Sequence, residues 1–168
     1  SVIAEKITAD KNGALNTEIS FSASHETDSI RVQDNSLILC GRLSDNDLAY
    51  YARLCVTTDG KMVKGDGKLV IKDASYIVFA LSAGTNYKNE YPNYRGEMPE
   101  GKVNSAIEEF LKNGYDEVKK AAVAEYKSLF DRFSFEVTSF TSPEYTDKLL
   151  SSYRENPDSK DGRYLEEL

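Results

Sequence analysis

The side-chain period changes partway along the chain, and this change constrains the fold more than any other feature. In Leu15-Asn16-Thr17-Glu18-Ile19-Ser20-Phe21-Ser22 the odd positions are Leu, Thr, Ile and Phe, and the even positions are all polar. A period of two places one set of side chains on a core and the other in water, which is the pattern of a half-buried antiparallel strand. Further strands are expected at Val2 to Ala9, Ser29 to Gln33, Ser36 to Gly41, Ala49 to Thr58, Lys68 to Lys72 and Ser75 to Ala83. Between them, Asp10-Lys11-Asn12-Gly13, Asp34-Asn35, Asp59-Gly60 and Gly65-Asp66-Gly67 supply residues that tolerate positive φ in turns. Short strands with closely spaced turns predict an antiparallel β-sandwich.

A loop from Gly84 to Lys102, with Pro92 and Pro99 and the aromatics Tyr87, Tyr91 and Tyr94, ends this pattern. The period then becomes helical. Val103, Ile107, Phe110 and Leu111 recur at i, i+4, i+7 and i+8, and Asn113-Gly114 is a C-terminal stop. A second helix is expected from Asp116 to Arg132, with Val118, Ala122, Tyr126, Leu129 and Phe130 on one face. Phe133, Phe135 and Val137 alternate with polar residues and predict a returning strand, with Phe133 and Phe135 facing inward. Ser142-Pro143 ends it. Tyr145 to Glu155 and Asp158 to Leu168 read as helices split by Asn156-Pro157. The expected fold is mainly β with C-terminal helices: a β-sandwich region over 1–102, linker helices and a returning strand over 103–138, and a helical segment over 139–168.

The chain is 40% hydrophobic and 29% charged, so the apolar share can fill a core and the charges can cover it. A net charge of −7 without a Lys/Arg stripe excludes the electrostatics of nucleic-acid binding. No apolar run approaches the ~20 residues of a membrane span, and no basic-then-apolar signal opens the chain. Ser1 runs straight into a strand pattern, as expected of a piece of a longer protein. The compartment is left open: extracellular or periplasmic if the parent carries a signal peptide, otherwise cytoplasmic.

Glycosidase chemistry commonly uses two carboxyl groups facing each other across a cleft. Glu108-Glu109, Glu166-Glu167 and Asp45-Asn46-Asp47 are acidic pairs by type, but neighbours on a helix point apart, so they read as solvated charge. Cys40 and Cys55 lie in apolar strand patterns and read as small buried hydrophobes, with a disulfide between them left open. His25, the only histidine, lies in a polar stretch that reads as a surface turn. There is no Gly-x-Ser-x-Gly elbow, no metal-ligand spacing and no phosphate loop, so no cofactor or metal is implied. One surface feature points to ligands: the faces of Tyr87, Tyr91 and Tyr94 suit stacking on sugars, and Arg95 adds a donor. The competing reading is that Tyr87 and Tyr91 pack the loop against the sandwich or a neighbouring domain.

Several strings resemble glycoside hydrolase family 95, the α-L-fucosidases. Ile7-Thr8-Ala9-Asp10-Lys11 with Gly13-Ala14-Leu15 is similar to the opening of the second half of that family's N-terminal β-sandwich domain. The order continues through Asn35-Ser36-Leu37-Ile38-Leu39 to Gly41-Arg42, then Tyr51-Ala52-Arg53-Leu54, Lys68-Leu69-Val70-Ile71-Lys72 with Ala74, and Thr85-Asn86-Tyr87. The most specific string is Glu125-Tyr126-Lys127-Ser128-Leu129-Phe130-Asp131-Arg132-Phe133-Ser134, which resembles the family's Asp-Tyr-x-x-Leu-Phe-Asp-Arg-Val linker. Its Glu125, Tyr126, Leu129, Phe130, Asp131 and Arg132 carry the likeness. Thr146-Asp147-Lys148-Leu149 resembles the segment that follows. Ala122, where the family commonly has His, and Tyr145, where it has Pro, depart from the pattern.

The resemblance implies half of a β-supersandwich plus a helical linker, with further strands before Ser1 and a catalytic α/α barrel that would begin near Gly162 to Leu168. It implies that the barrel carries the acid and base, so no catalytic residue transfers to this chain. The implied parent cleaves terminal α-L-fucose or α-L-galactose from oligosaccharides by inversion, and this segment buttresses the barrel, its partner in the same polypeptide. A carbohydrate-binding module, and the N-terminal domain of a family 65 phosphorylase or hydrolase, are the alternatives.

Overall fold

The computed structural model describes residues 1–22, 27–134, 144–156 and 158. Their contacts divide into two compact units, Ser1–Lys120 and Ala121–Leu168.

Among the described residues the first unit holds eight antiparallel strands: β1 (Ile3–Thr8), β2 (Leu15–Ser20), β3 (Thr27–Gln33), β4 (Ser36–Arg42), β5 (Ala49–Thr58), β6 (Lys61–Lys64), β7 (Lys68–Ala74) and β8 (Tyr76–Thr85). They form a five-stranded sheet in the order β1-β8-β5-β4-β3 and a three-stranded sheet in the order β2-β7-β6. This is the expected antiparallel sandwich. Its core joins Leu37, Val56 and Ile77 of the larger sheet to Leu69, Ile71 and Ala74 of the smaller, with Leu15, Ile19, Leu54 and Phe79 packed around them. Asp34 takes the left-handed conformation expected of the β3–β4 turn, with φ of 53°.

β6 has no counterpart among the expected strands. It is a four-residue edge strand with Lys at both ends, and its two central apolar residues are too few to establish alternation. It forms because the Gly65 N–H reaches the Lys68 carbonyl at 2.9 Å and closes a hairpin onto β7.

The larger sheet is covered on its other face too. Helix α1 (Glu100–Asn113) lies across β5 and β8, and its Val103, Ile107 and Phe110 are buried. Cys55, Val78 and Ala80 meet Ile107 and Phe110, while Ile38 and Tyr51 meet Val103. Burial on both faces is why β8 carries Ile77 and Val78 in succession instead of alternating strictly. Close approach of α1 requires Gly84, where a Cβ would sit 3.1 Å from the Pro99 side chain. Gly114, at φ 78°, ends α1 and returns its N–H to the Phe110 carbonyl.

A polar latch crosses this second interface. Arg53 Nη1 donates to Asn104 Oδ1 at 3.1 Å, and Arg53 Nε donates to Ser36 Oγ at 3.2 Å, which satisfies the fully buried Ser36. Cys55 is buried and Cys40 half-buried, and both are free thiols. The register explains why. Ser36 faces Cys55 and Cys40 faces Tyr51, so the cysteines lie four rungs apart, roughly 13 Å, beyond disulfide reach.

α2 (Tyr115–Phe130) buries none of its residues completely, although Tyr115 and Val118 pack on the α1 cluster. In the second unit, α3 (Thr146–Glu155) buries Leu149. The expected inward position of Phe133 is not found, since the residue is 76% exposed. The backbone keeps winding past Phe130, with the Arg132 N–H on the Leu129 carbonyl and the Phe133 N–H on the Phe130 carbonyl, so strand alternation does not begin at Phe133. Phe135, Val137, His25, Ser142-Pro143 and nearly all of the helix expected from Asp158 lie outside the described residues. Among the described residues no helix is long and apolar enough to cross a membrane.

Candidate functional site

The segment joining β8 to α1 folds back on itself as a small closed loop. Asn86 anchors its base: its N–H donates to the Ala49 carbonyl at 3.0 Å, and its Oδ1 accepts the Ala49 N–H at 2.9 Å. The Gly96 N–H returns to the Asn86 carbonyl at 2.7 Å, and Tyr87 and Arg95 form an antiparallel bridge. Farther out, the Tyr94 N–H meets the Glu90 carbonyl and Lys88 pairs with Glu90 at 2.8 Å. The tip contains a cis Tyr91–Pro92 bond, and Tyr94 sits at φ 51°, a left-handed conformation that costs a non-glycine residue about 1 kcal/mol.

This scaffold holds the tyrosines at the surface. The rings of Tyr87 and Tyr94 are parallel to within 3° with centroids 6.4 Å apart, and Tyr91 meets Tyr94 edge-on at the same distance. All three are exposed, Tyr91 to 86%. Arg95 is half-buried and acts as the loop's tie. Its Nη1 donates to the Tyr94 carbonyl at 3.0 Å and its Nη2 donates to the Asn46 carbonyl in the β4–β5 turn. Both acceptors are neutral carbonyl oxygens, which hold the guanidinium in place without an ion pair among the described residues.

Beside the loop lies a cleft of about 610 Å³, lined by Thr85, Tyr87, Lys88, Arg95, Gly96, Glu97 and Lys102. Of the four residues singled out in the sequence, Tyr87 and Arg95 line it, Tyr94 stacks on Tyr87, and Tyr91 stands at the tip. Sequence reasoning missed Lys88, Glu97 and Lys102. Lys102 comes from the first turn of α1, so it reaches the cleft only because α1 docks on the sheet; no motif marks it.

The linker residues are placed differently. Tyr126 and Phe130 stack with centroids 5.2 Å apart, and together with Leu129 they are exposed along α2. Glu125, Asp131 and Arg132 are exposed as well, the Glu125 carbonyl accepting the Ser128 hydroxyl at 2.7 Å.

Three clefts among the described residues contain one carboxyl each: Glu97 beside the loop, Glu100 near Cys40 and Tyr50, and Glu109 near Phe110. The Ser75 and Tyr76 backbone N–H groups, at 2.8 and 3.1 Å, hold the Asp59 carboxyl below the usual carboxylate range, the opposite of what a proton donor requires. Burial pushes the Cys55 thiol up, partly offset by Ser36 and Arg53, which disfavours a thiolate nucleophile. Among the described residues no group of three His, Cys, Asp or Glu side chains is placed to hold a metal ion.

A family model described as glycosyl hydrolase family 65, N-terminal domain, matches residues 1–90. The match supports the glycoside hydrolase N-terminal reading at that coarser level, through family 65, the alternative, and not through family 95. No curated protein matches the chain.

Proposed function

This chain belongs to the glycosyl hydrolase family 65 N-terminal domains, and from that premise we propose that it is the non-catalytic β-sandwich of an enzyme that cleaves glycosidic bonds by hydrolysis or phosphorolysis. The observation that carries the reading is the family match itself, whose residues 1–90 take in all eight strands and stop inside the tyrosine loop.

The sandwich's role in that reading is to brace a catalytic domain. Tyr126, Leu129, Phe130 and Phe133 expose apolar side chains within eight residues of one another, a density that marks surfaces destined for burial. They are the linker side of the contact, and the catalytic domain of the same polypeptide is the partner that covers them.

A second reading keeps the α-L-fucosidase specificity. It is favoured by the linker string Glu125 to Ser134, which lies outside the residues the family 65 model matches. One assay series addresses both. The purified chain is incubated with aryl α-D-glucoside and aryl α-L-fucoside, with and without inorganic phosphate. No release of the aryl alcohol above background is expected with either substrate. Turnover that disappears on changing Glu97, Glu100 or Glu109 to Gln would overturn the non-catalytic assignment. To assign specificity, the same two substrates are given to the full-length parent: α-D-glucoside cleavage supports family 65 chemistry and α-L-fucoside cleavage the second reading.

A further inference from the structure

We infer that the cleft between the tyrosine loop and the first turn of α1 is a binding site for a saccharide. The inference rests on the carbohydrate-enzyme reading for its ligand class, and on the geometry of the cleft for everything else.

Three observations select the ligand. The first is the volume of about 610 Å³, inside the ~300–1,000 Å³ range of small-molecule sites. The second is the aromatic wall. Tyr87 and Tyr94 are parallel with centroids 6.4 Å apart, whereas a ring inserted between two others needs roughly 7–8 Å, twice the carbon contact distance. No ring can be inserted between them, so stacking on Tyr87 is one-sided, a mode open to the C–H face of a pyranose.

The third is the polar lining, which mixes donors and acceptors. Lys88, Arg95 and Lys102 donate, Glu97 accepts, and the Thr85 hydroxyl does both. Sugar hydroxyls also donate and accept. The charge of Lys88 is matched by Glu90, and Glu97 stands in the same lining as Arg95 and Lys102, so the cleft offers both an acceptor and donors to sugar hydroxyls. Arg95 and Lys102 are the donors not engaged with a carboxylate among the described residues, and Arg95 is held in place by its two carbonyl contacts. The loop's closure through Asn86 and Gly96 keeps this arrangement ordered before a ligand arrives, which lowers the entropic cost of binding.

The test is a titration of the full chain with maltotriose and, separately, with methyl α-L-fucopyranoside, followed by amide chemical shifts. Saturable shifts centred on Tyr87, Arg95, Gly96 and Lys102 are expected with at least one of the two. Tyr87→Ala should weaken that binding about tenfold, Tyr87→Phe should retain it, and Val63→Ala, on the edge strand β6, should leave it unchanged. Lys102→Met and Glu97→Gln, both on the surface, test the polar lining if Tyr87→Ala perturbs folding, and each should weaken binding. Three results would overturn the site: no saturable shift with either sugar at about 10 mM, tenfold above a weak ~1 mM affinity; shifts centred elsewhere; or binding indifferent to Tyr87, Glu97 and Lys102. Because the readout involves no turnover, any of these would reject the cleft while leaving the family assignment in place.

Discussion

Changing Ile107 to Ala tests whether α1 belongs to the core. Ile107 is fully buried between α1 and the larger sheet, against Cys55, Val78, Ala80 and Phe110. The substitution removes three carbons, worth about 2.4 kcal/mol at ~0.8 kcal/mol per buried methylene. A residual cavity adds about 1 kcal/mol, since a sheet and a helix held by other contacts close only partly around the gap. The better helix propensity of Ala returns about 0.4 kcal/mol. The expected loss is therefore about 3 kcal/mol. Leu111, one residue beyond Phe110 and part of the same periodic face in the sequence, is 43% exposed, so Leu111→Ala should cost less than about 1 kcal/mol. Urea denaturation followed by far-UV circular dichroism would read the pair. At a slope of about 2 kcal/mol per molar, Ile107→Ala should lower the midpoint by about 1.5 M with the slope unchanged, and Leu111→Ala by a third of that or less. Equal losses for the two variants, or a loss under about 1 kcal/mol for Ile107→Ala, would mean that α1 does not seal the sheet.

Other outcomes follow from single features of the structure. At pH 8, an alkylating reagent should modify Cys40 in the folded chain and Cys55 only after denaturation, because burial both shields the Cys55 thiol and raises its pKa; peptide mapping by mass spectrometry distinguishes them. The depressed pKa of Asp59 means that its contribution to stability is fully present above the unfolded value of about 3.9 and is lost as pH falls through the lower folded value. Asp59→Asn should therefore flatten the pH dependence of Tm below about pH 4; an unchanged acid limb would contradict this. Gly60→Ala should destabilise the chain, because its Cβ would lie 2.5 Å from the Lys72 carbonyl oxygen. Gly101→Ala, in the first turn of α1 with nothing within 4 Å, should stabilise it by about 0.5 kcal/mol. Thermal melts that placed these two variants in the reverse order would refute the packing around β7.

The sandwich was legible in the sequence because period-two alternation and turn chemistry are local properties. Leu15 to Ser20, Ala49 to Thr58 and the Asp34-Asn35 turn declare themselves without reference to anything distant. The helices were legible for the same reason, from Val103, Ile107 and Phe110. What periodicity cannot report is which side of an element meets a partner. Ile107 and Leu111 are equivalent in the pattern, and only the docking of α1 on β5 and β8 buries one and leaves the other in water. The same limit misplaced Phe133, whose alternation with Ser134 suggested a strand while backbone hydrogen bonds to Leu129 and Phe130 kept the chain turning. At the candidate site, the sequence marked Tyr87 and Arg95 by chemical type. Glu97 and Lys102 were invisible because a cleft is made by loop closure and helix docking together, and those depend on contacts between residues such as Asn86 and Ala49, 37 positions apart. Local backbone preference is written residue by residue, whereas the geometry of a site is set by long-range contacts that form only when the chain has folded.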